Sequence, residues 1–246
     1  MNVAVVTGGN KGIGLAITKE LVRCNYKVIV GARSLYEDLE TVEDIDFVRS
    51  DLTKYAGHQE LIDTAIKKYG KVDTYVNNVG ISEWKPINQI DEDFLIKLIE
   101  TNIYSAFWGC KAAETVLKDS GSIINISSIA GKRGSKNNSV YVATKFAMNG
   151  LTQSLAKELG HKNIRVNAIC PVLIKTKGLL KALEDKYSPA NENINKFFED
   201  FQNSQTALNR LPESKEVAEM VIFLASKKAS AITGQCINVD CGVFPQ

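Results

Sequence analysis

The sequence predicts one α/β domain, a doubly wound parallel sheet of about seven strands with helices on both faces. Three features carry that expectation. Short β-branched runs alternate with helical patterns from the first residues onward, as in successive βαβ units. The runs are apolar throughout instead of at every second position, so they belong to strands buried on both faces. A length of 246 residues, 44% hydrophobic and 24% charged, suits one large undivided core.

The first run, Val3–Thr7, leads through TGGNKGIG into the amphipathic stretch GLAITKELVRCN. Glycines 8, 12 and 14 stand in that strand-to-helix turn, where a tight backbone approaches a pyrophosphate and the helix dipole faces its charge. The second run, Lys27–Ala32, ends at Arg33. A free ribose 2′-hydroxyl favours an acid near this point and a 2′-phosphate favours arginine. Arg33, with Lys11 in the glycine turn, therefore argues for NADP(H) over NAD(H). Further strands follow at Asp46–Ser50, Val72–Asn78, Ser122–Ser127 and Ile164–Cys170. The helix ESKEVAEMVIFLAS then precedes a last strand, Cys236–Asp240. Residues 177–211 break the rhythm, rich in asparagine, charge and the aromatics Tyr187, Phe197, Phe198 and Phe201. A long excursion after a strand's carboxyl end lies where open α/β sheets bind ligands, so the segment is expected to be a substrate lid; an exposed helical insertion is the alternative.

Composition narrows the function. A formal net charge of +2, with basic residues evenly spread, speaks against a nucleic-acid surface. The five cysteines form no CxxC pair and mostly sit in apolar runs, as reduced thiols of a cytoplasmic protein would. His58 and His161 lie far apart without ligand spacing, so no metal site is expected. No apolar run approaches the roughly 18 residues of a membrane span, and the apolar part of the first residues is short for a signal peptide.

In SVYVATKFAM, Tyr141 and Lys145 stand four residues apart, one turn along the same helical face. Such a pair usually means a packed ring beside a solvated amine. A phenol paired with an ammonium can also donate a proton to an oxygen that receives a hydride. A cation roughly 4 Å away contributes up to about 4 kcal/mol at an effective dielectric near 20, which would pull the phenol below its ordinary value.

With these pieces in order, the chain resembles the classical short-chain dehydrogenases/reductases over nearly its whole length. The matching stretches are TGGNKGIG, SDL (50–52), NNVG (77–80), TN (101–102), NISS ending at Ser128, YVATK, ICPVLIKT and ITGQCINVDCG. The glycine turn is particularly similar to that of NADPH-dependent carbonyl reductases, and 3-oxoacyl-carrier-protein reductases share the pattern. The resemblance implies a Rossmann-type fold and NADP(H)-dependent interconversion of a carbonyl and a secondary alcohol. Tyr141 would be the general acid/base and Lys145 its partner, which also holds the nicotinamide ribose. Ser128, thirteen residues before the tyrosine, would hold the carbonyl oxygen, and Asn102 a water of the proton relay. Gly8, Asn10, Lys11, Gly12, Ile13 and Gly14 would cradle the dinucleotide. Asp51 and Leu52 would flank the adenine, Asn78 and Gly80 the ribose, and Pro171, Ile174 and Thr176 the nicotinamide. Relatives usually assemble as tetramers or dimers through the long helices that here carry Asn102 and Tyr141, so a homo-oligomer is expected.

Three residues depart from the family pattern. Val172 stands where glycine is usual, where it would crowd the nicotinamide face or narrow the substrate pocket. Val79 replaces an alanine and Cys241 a glycine, both expected as tolerated packing changes. The loop Lys132, Arg133, Lys136, Asn137, Asn138 leaves a second reading, a sugar or sugar-nucleotide dehydrogenase with cations for a polar substrate, against a merely solvated loop. A cofactor-binding sensor or scaffold without turnover is the third.

Overall fold

The computed structural model describes residues 1–36, 39, 42–118, 120–190 and 193–245. Seven parallel strands run β1 (Asn2–Thr7), β2 (Tyr26–Ala32), β3 (Ile45–Arg49), β4 (Thr74–Asn77), β5 (Ser122–Ile126), β6 (Arg165–Pro171) and β7 (Cys236–Val239). Their order is β3-β2-β1-β4-β5-β6-β7, and every pair is parallel. The expected strands are present with ends shifted by at most two residues.

The continuous apolar runs divide by alternation. Val3 and Val5 face one layer with Ile29, Tyr75, Ile123 and Val166, covered by α2 (Tyr55–Tyr69), α4 (Ser105–Val116) and α5 (Ser139–Leu159). Ala4 and Val6 face the other with Val28, Val30, Val76, Ile124 and Ile169, under α1 (Gly12–Arg23) and α8 (Ser214–Ala225). Burying both faces of the inner strands supplies the apolar area that holds a parallel sheet, while the edge strands β3 and β7 are only partly buried. A third cluster stands apart from both layers and joins Trp84, Ile129 and Val172 to α6 (Lys177–Leu183) and α7 (Ile194–Gln205) through Leu183 and Phe198. Segment 177–211 thus packs as two helices, although residues 191 and 192 lie outside the described part.

Two local features differ from what the sequence suggests. The helix expected around Asn102 is not uniform: α3 (Glu92–Ile99), capped by Asp91 accepting from Phe94 N at 2.8 Å, passes through a π turn at Glu100–Tyr104 before α4 begins. Such bulges leave backbone groups outside the regular ladder and cluster at functional positions. Cys241 is more than a packing change, for it takes φ 55, the left-handed region that favours glycine, directly before Gly242 at φ 81. A side chain there stores backbone strain.

A buried polar seam ties α4 to the sheet. Asn77 Nδ2 donates to Asn125 Oδ1 (2.9 Å) and to Cys110 Sγ (3.3 Å), and Asn125 Nδ2 donates to Thr152 Oγ1 (2.9 Å). Asn77 Oδ1 has no hydrogen-bond partner, and a Cβ on Gly109 would stand 1.9 Å from it. The helix can lie this close only because residue 109 has no side chain. Gly109→Ala is therefore expected to destabilise the fold by about 2 kcal/mol or more through overpacking. Gly150→Ala, in the helix α5 with nothing within 4 Å, should stabilise by about 0.5–1 kcal/mol. Thermal unfolding of the two variants checks the pair, and equal shifts would contradict the close approach.

Candidate active site

All strand carboxyl ends lie at one edge, and the chain reverses its winding between β1 and β4, which opens a crevice there. At the end of β1, Gly8 and Gly12 take φ 63 and 55, and a Cβ on Gly14 would stand 2.2 Å from Gly8 O. Only bare backbone fits this turn. The N-cap residue of α1, Lys11, is extended and makes no side-chain cap, so the first amides of the helix face the crevice without a protein acceptor. Thr7 Oγ1 accepts from Asn78 N (2.9 Å) and Val79 N (3.2 Å), and Asn78 Nδ2 donates to Thr7 O (2.9 Å) and Gly8 O (3.1 Å). These bonds fix the two crevice walls together. Such a floor fits a dinucleotide pyrophosphate, which would lie against the amides of α1.

Arg33 and Lys11 are both exposed at the β2 side of the turn. Lys11 Nζ lies 5.2 Å from the ring centroid of Tyr36, and Asn10 Nδ2 donates to Ser34 O at 2.5 Å, holding the end of β2 beside the turn. Asp51 accepts from Thr53 N (3.0 Å) and Thr53 Oγ1 (2.9 Å), and these bonds, the backbone one first, keep its carboxyl below the usual range. Leu52 is buried and its carbonyl accepts from His58 Nε2 at 2.9 Å, while His58 Nδ1 accepts from the Tyr75 hydroxyl at 2.7 Å. Burial pushes His58 down to about 4, so it is a neutral anchor of the Leu52 loop. Sequence reading considered His58 only as a metal ligand; a helical histidine with a tyrosine far along the chain gives no local sign of this role.

The catalytic candidates meet at the ends of β4, β5 and β6. Lys145 is 4% exposed and its Nζ donates to Ile126 O at 2.8 Å. Half-buried Tyr141 lies beneath it, with Nζ 5.7 Å from the ring centroid. The Ser128 hydroxyl lies close enough to Tyr141 to draw its phenol toward ionisation. Ser128 Oγ also accepts from Ala130 N (3.1 Å) and donates to Pro171 O (3.4 Å), whereas buried Ser127 turns away to Lys145 O (3.4 Å). Asn102 is fully buried: its Oδ1 accepts from Ile81 N (2.8 Å), and its Nδ2 donates to Ile81 O (3.0 Å) and Thr144 Oγ1 (3.1 Å). A Cβ on Gly80 would stand 3.4 Å from Asn102 Oδ1 and 3.5 Å from Lys145 Nζ, so Gly80 fills the gap between the two. Across the crevice, Thr176 lies against Gly12 and caps α6 by accepting from Leu179 N at 3.2 Å; Ile174 is buried behind it. Ile13 packs into the layer under α1.

The electrostatics depart from the simple cation–phenol picture. Burial raises Tyr141 to about 12, opposed by the Ser128 hydroxyl, and burial lowers Lys145 to about 8. The amine is bound to a backbone carbonyl and not to the phenol, so desolvation outweighs attraction and each group moves toward its neutral form. A phenol at this value stays protonated at neutral pH and is ready to donate. Val172 is 8% exposed and packs among Trp84, Ile129, Leu183 and Phe198. Lys132 Nζ donates to Cys236 O at 2.6 Å, which commits that cation to the scaffold. Trp84, which sequence reading passed over, joins this wall only through the fold.

Comparison with known proteins agrees with this geometry. A family profile described as enoyl-(acyl carrier protein) reductase matches residues 8–244. An L-2,3-butanediol dehydrogenase of Corynebacterium glutamicum is 36% identical over 255 positions, covering 98% of each chain. A diacetyl reductase, (S)-acetoin forming, of Staphylococcus epidermidis is 33% identical over 98% of this chain and 97% of its own. The ligand-free aldohexose dehydrogenase of Thermoplasma acidophilum superposes with a TM-score of 0.88 at 32% identity, covering 100% of this chain and 97% of the other.

The buried amine has a measurable signature. A fall from 10.5 to about 8 corresponds to about 3 kcal/mol of stability. Below pH 8 the amine is charged in folded and unfolded chains alike, and its burial costs the fold the full amount; the cost disappears as pH rises through 10.5, where both forms are neutral. Between these limits wild-type stability should rise relative to Lys145→Met by about 3 kcal/mol. Denaturant unfolding of both proteins at pH 7.5 and 10.5 checks this, and a constant difference would contradict the burial of a titrating amine.

Proposed function

The chain belongs to the classical short-chain dehydrogenases/reductases, and on that premise we propose that it interconverts a carbonyl and a secondary alcohol with NADP(H), Tyr141 exchanging the proton. It is an oxidoreductase of a family that works on alcohols and carbonyls with a nicotinamide cofactor. The observation that carries the finer reading is the convergence of Tyr141, the Ser128 hydroxyl and the buried Lys145 amine at the sheet's carboxyl edge.

The bound cofactor supplies the hydride. Gly8, Gly12 and Gly14 let the pyrophosphate approach the α1 amides, with Asn10 and Ile13 shaping the turn. Arg33 and Lys11 hold the 2′-phosphate, Asp51 and Leu52 flank the adenine, and Asn78 and Gly80 line the ribose side. Pro171, Ile174 and Thr176 border the nicotinamide, whose ribose Lys145 binds. Ser128 orients the carbonyl oxygen and stabilises its developing charge, while the protonated Tyr141 phenol donates to it. Asn102, at the π turn, connects Lys145 through water to solvent and replaces the spent proton. Segment 177–211 serves as the substrate lid, a role supported by its packing on Val172, Ile129 and Trp84.

A sugar or sugar-nucleotide dehydrogenase is the second reading, favoured by the likeness to an aldohexose dehydrogenase and weakened by the structural commitment of Lys132. The presence of all four catalytic residues weighs against a scaffold without turnover. Leu95, Ile96, Tyr104, Phe107 and Phe146 leave an exposed apolar face on the helices around Asn102 and Tyr141, which supports assembly as a homo-dimer or tetramer. The five free thiols support a reducing, cytoplasmic setting. No described helix is long and apolar enough to cross a membrane.

Tyr141→Phe should lower kcat by about 10²–10⁴-fold for loss of the proton donor, with NADPH affinity nearly unchanged; retained turnover would end the mechanism. Arg33→Asp should reduce the ratio of NADPH to NADH affinity by about tenfold or more, the worth of a charge-assisted hydrogen bond. An unchanged ratio in a fluorescence titration would remove the 2′-phosphate assignment.

A further inference from the structure

The helix that carries Tyr141 and Lys145 holds a third polar residue on the same stripe. Asn149 stands one turn beyond Lys145 and two beyond Tyr141, and it is 8% exposed in the middle of α5. Asparagine is a poor helix former, and its amide is costly to bury unless it is bonded. Here the amide reaches out of its own helix. Nδ2 donates to Gly131 O at 2.9 Å, and Oδ1 accepts from Cys170 Sγ of β6 at 3.9 Å.

The first of these bonds bears on Ser128. The chain leaves β5 through Ser127 and Ser128 into a single helical turn, Ile129–Gly131, whose N-cap is Ser128 itself, with Oγ accepting from Ala130 N at 3.1 Å. Gly131 N donates to Ser128 O at 2.9 Å, so the serine and the glycine close one turn and move together. Among the described residues, two side-chain hydrogen bonds join residues 127–131 to α5, one on either side of Ser128. Ser127 Oγ donates to Lys145 O at 3.4 Å, long for a hydroxyl donor, and Asn149 takes the Gly131 carbonyl at 2.9 Å. The turn also lies directly on the helix, because a Cβ on Gly131 would stand 2.7 Å from both Lys145 O and Asn149 Nδ2. Asn149 therefore makes the shorter of the two ties between the Ser128 turn and the helix of Tyr141.

We propose that Asn149 is a positioning residue: by holding the Gly131 carbonyl it fixes the turn that carries Ser128 against the helix that carries Tyr141, and so sets the separation at which the two hydroxyls meet the substrate carbonyl. The inference rests on the carbonyl-reductase reading, in which Ser128 and Tyr141 serve one oxygen, and deepens it. Without the amide, the end of the turn is free to shift on α5, and Ser128 shifts with it. A small displacement of a group that stabilises developing charge lowers the rate although every reacting residue is still present.

The test is a double-mutant cycle in the full chain, with kcat/KM measured with NADPH and the fastest substrate of a carbonyl panel running from cyclohexanone and acetophenone to keto-sugars. Asn149→Leu keeps the side-chain size and removes the amide. In the wild-type background it should lower kcat/KM by about tenfold, a part of the roughly 10²–10³-fold that one donor to a developing oxyanion supplies, while NADPH affinity stays the same. In the Ser128→Ala background the same substitution should cost less than about twofold, because the group it positions is gone. A purely structural role would lower both backgrounds alike. Equal losses in the two backgrounds, or no loss in wild type, overturn the proposal. Asn149→Ala takes the place of leucine in the cycle should leucine prevent folding. Undiminished turnover in Ser128→Ala alone, or failure to oxidise NADPH or NADH with any carbonyl, removes the underlying reading and the proposal with it.

Discussion

Seven strands running in one direction impose the constraint on which this molecule depends. Each strand ends at the same edge, and the order reverses between β1 and β4, so the loops on either side of that point diverge and leave a crevice. The crevice is then shaped by close backbone packing. Gly14 and Gly8 bring α1 against the end of β1, and Thr7 and Asn78 tie β1 to β4. Few side chains intrude, which leaves the helix amides and their dipole directed at the space proposed for a pyrophosphate.

The same geometry sets the protonation of the reacting groups. Lys145 and Tyr141 share a helix face, but the sheet edge and α5 enclose them, and enclosure acts on both more strongly than either acts on the other. The cation is retained through the Ile126 carbonyl. Buried polar groups of this kind make no large contribution to folding and are retained where function needs them. Beside them, Ile129 and Val172, the residues that follow Ser128 and Pro171, pack with Trp84, Leu183 and Phe198 in a separate apolar cluster.

Local signals made much of this legible in sequence. Runs of apolar residues specify the strands, because both faces of a central parallel strand are buried and most of its positions must be apolar. The glycine turn is readable because its conformations exclude side chains. Ser128 followed from its spacing to Tyr141 in the family resemblance, and an extended backbone at φ −168 separates it from Ser127. Other features depend on contacts distant in the chain. The π turn at Asn102 is a property of the backbone ladder and has no composition of its own. Helical spacing places Lys145 near Tyr141 but carries no information on burial, so the direction in which Tyr141 moves could not be read. Cys241 resembles a simple substitution until its left-handed φ is known. Trp84 and His58 acquire their places from segments brought together only by folding.

The central claim is that the crevice between β1 and β4 holds NADP(H) with its nicotinamide beside Tyr141. Fluorescence titration of the purified protein with NADPH and with NADH tests it most directly. Saturable binding of both, with NADPH at least about tenfold tighter, is the expected result if Arg33 and Lys11, exposed beside the glycine turn, take a ribose 2′-phosphate. Absence of binding of either nucleotide would contradict the account from the glycine turn upward.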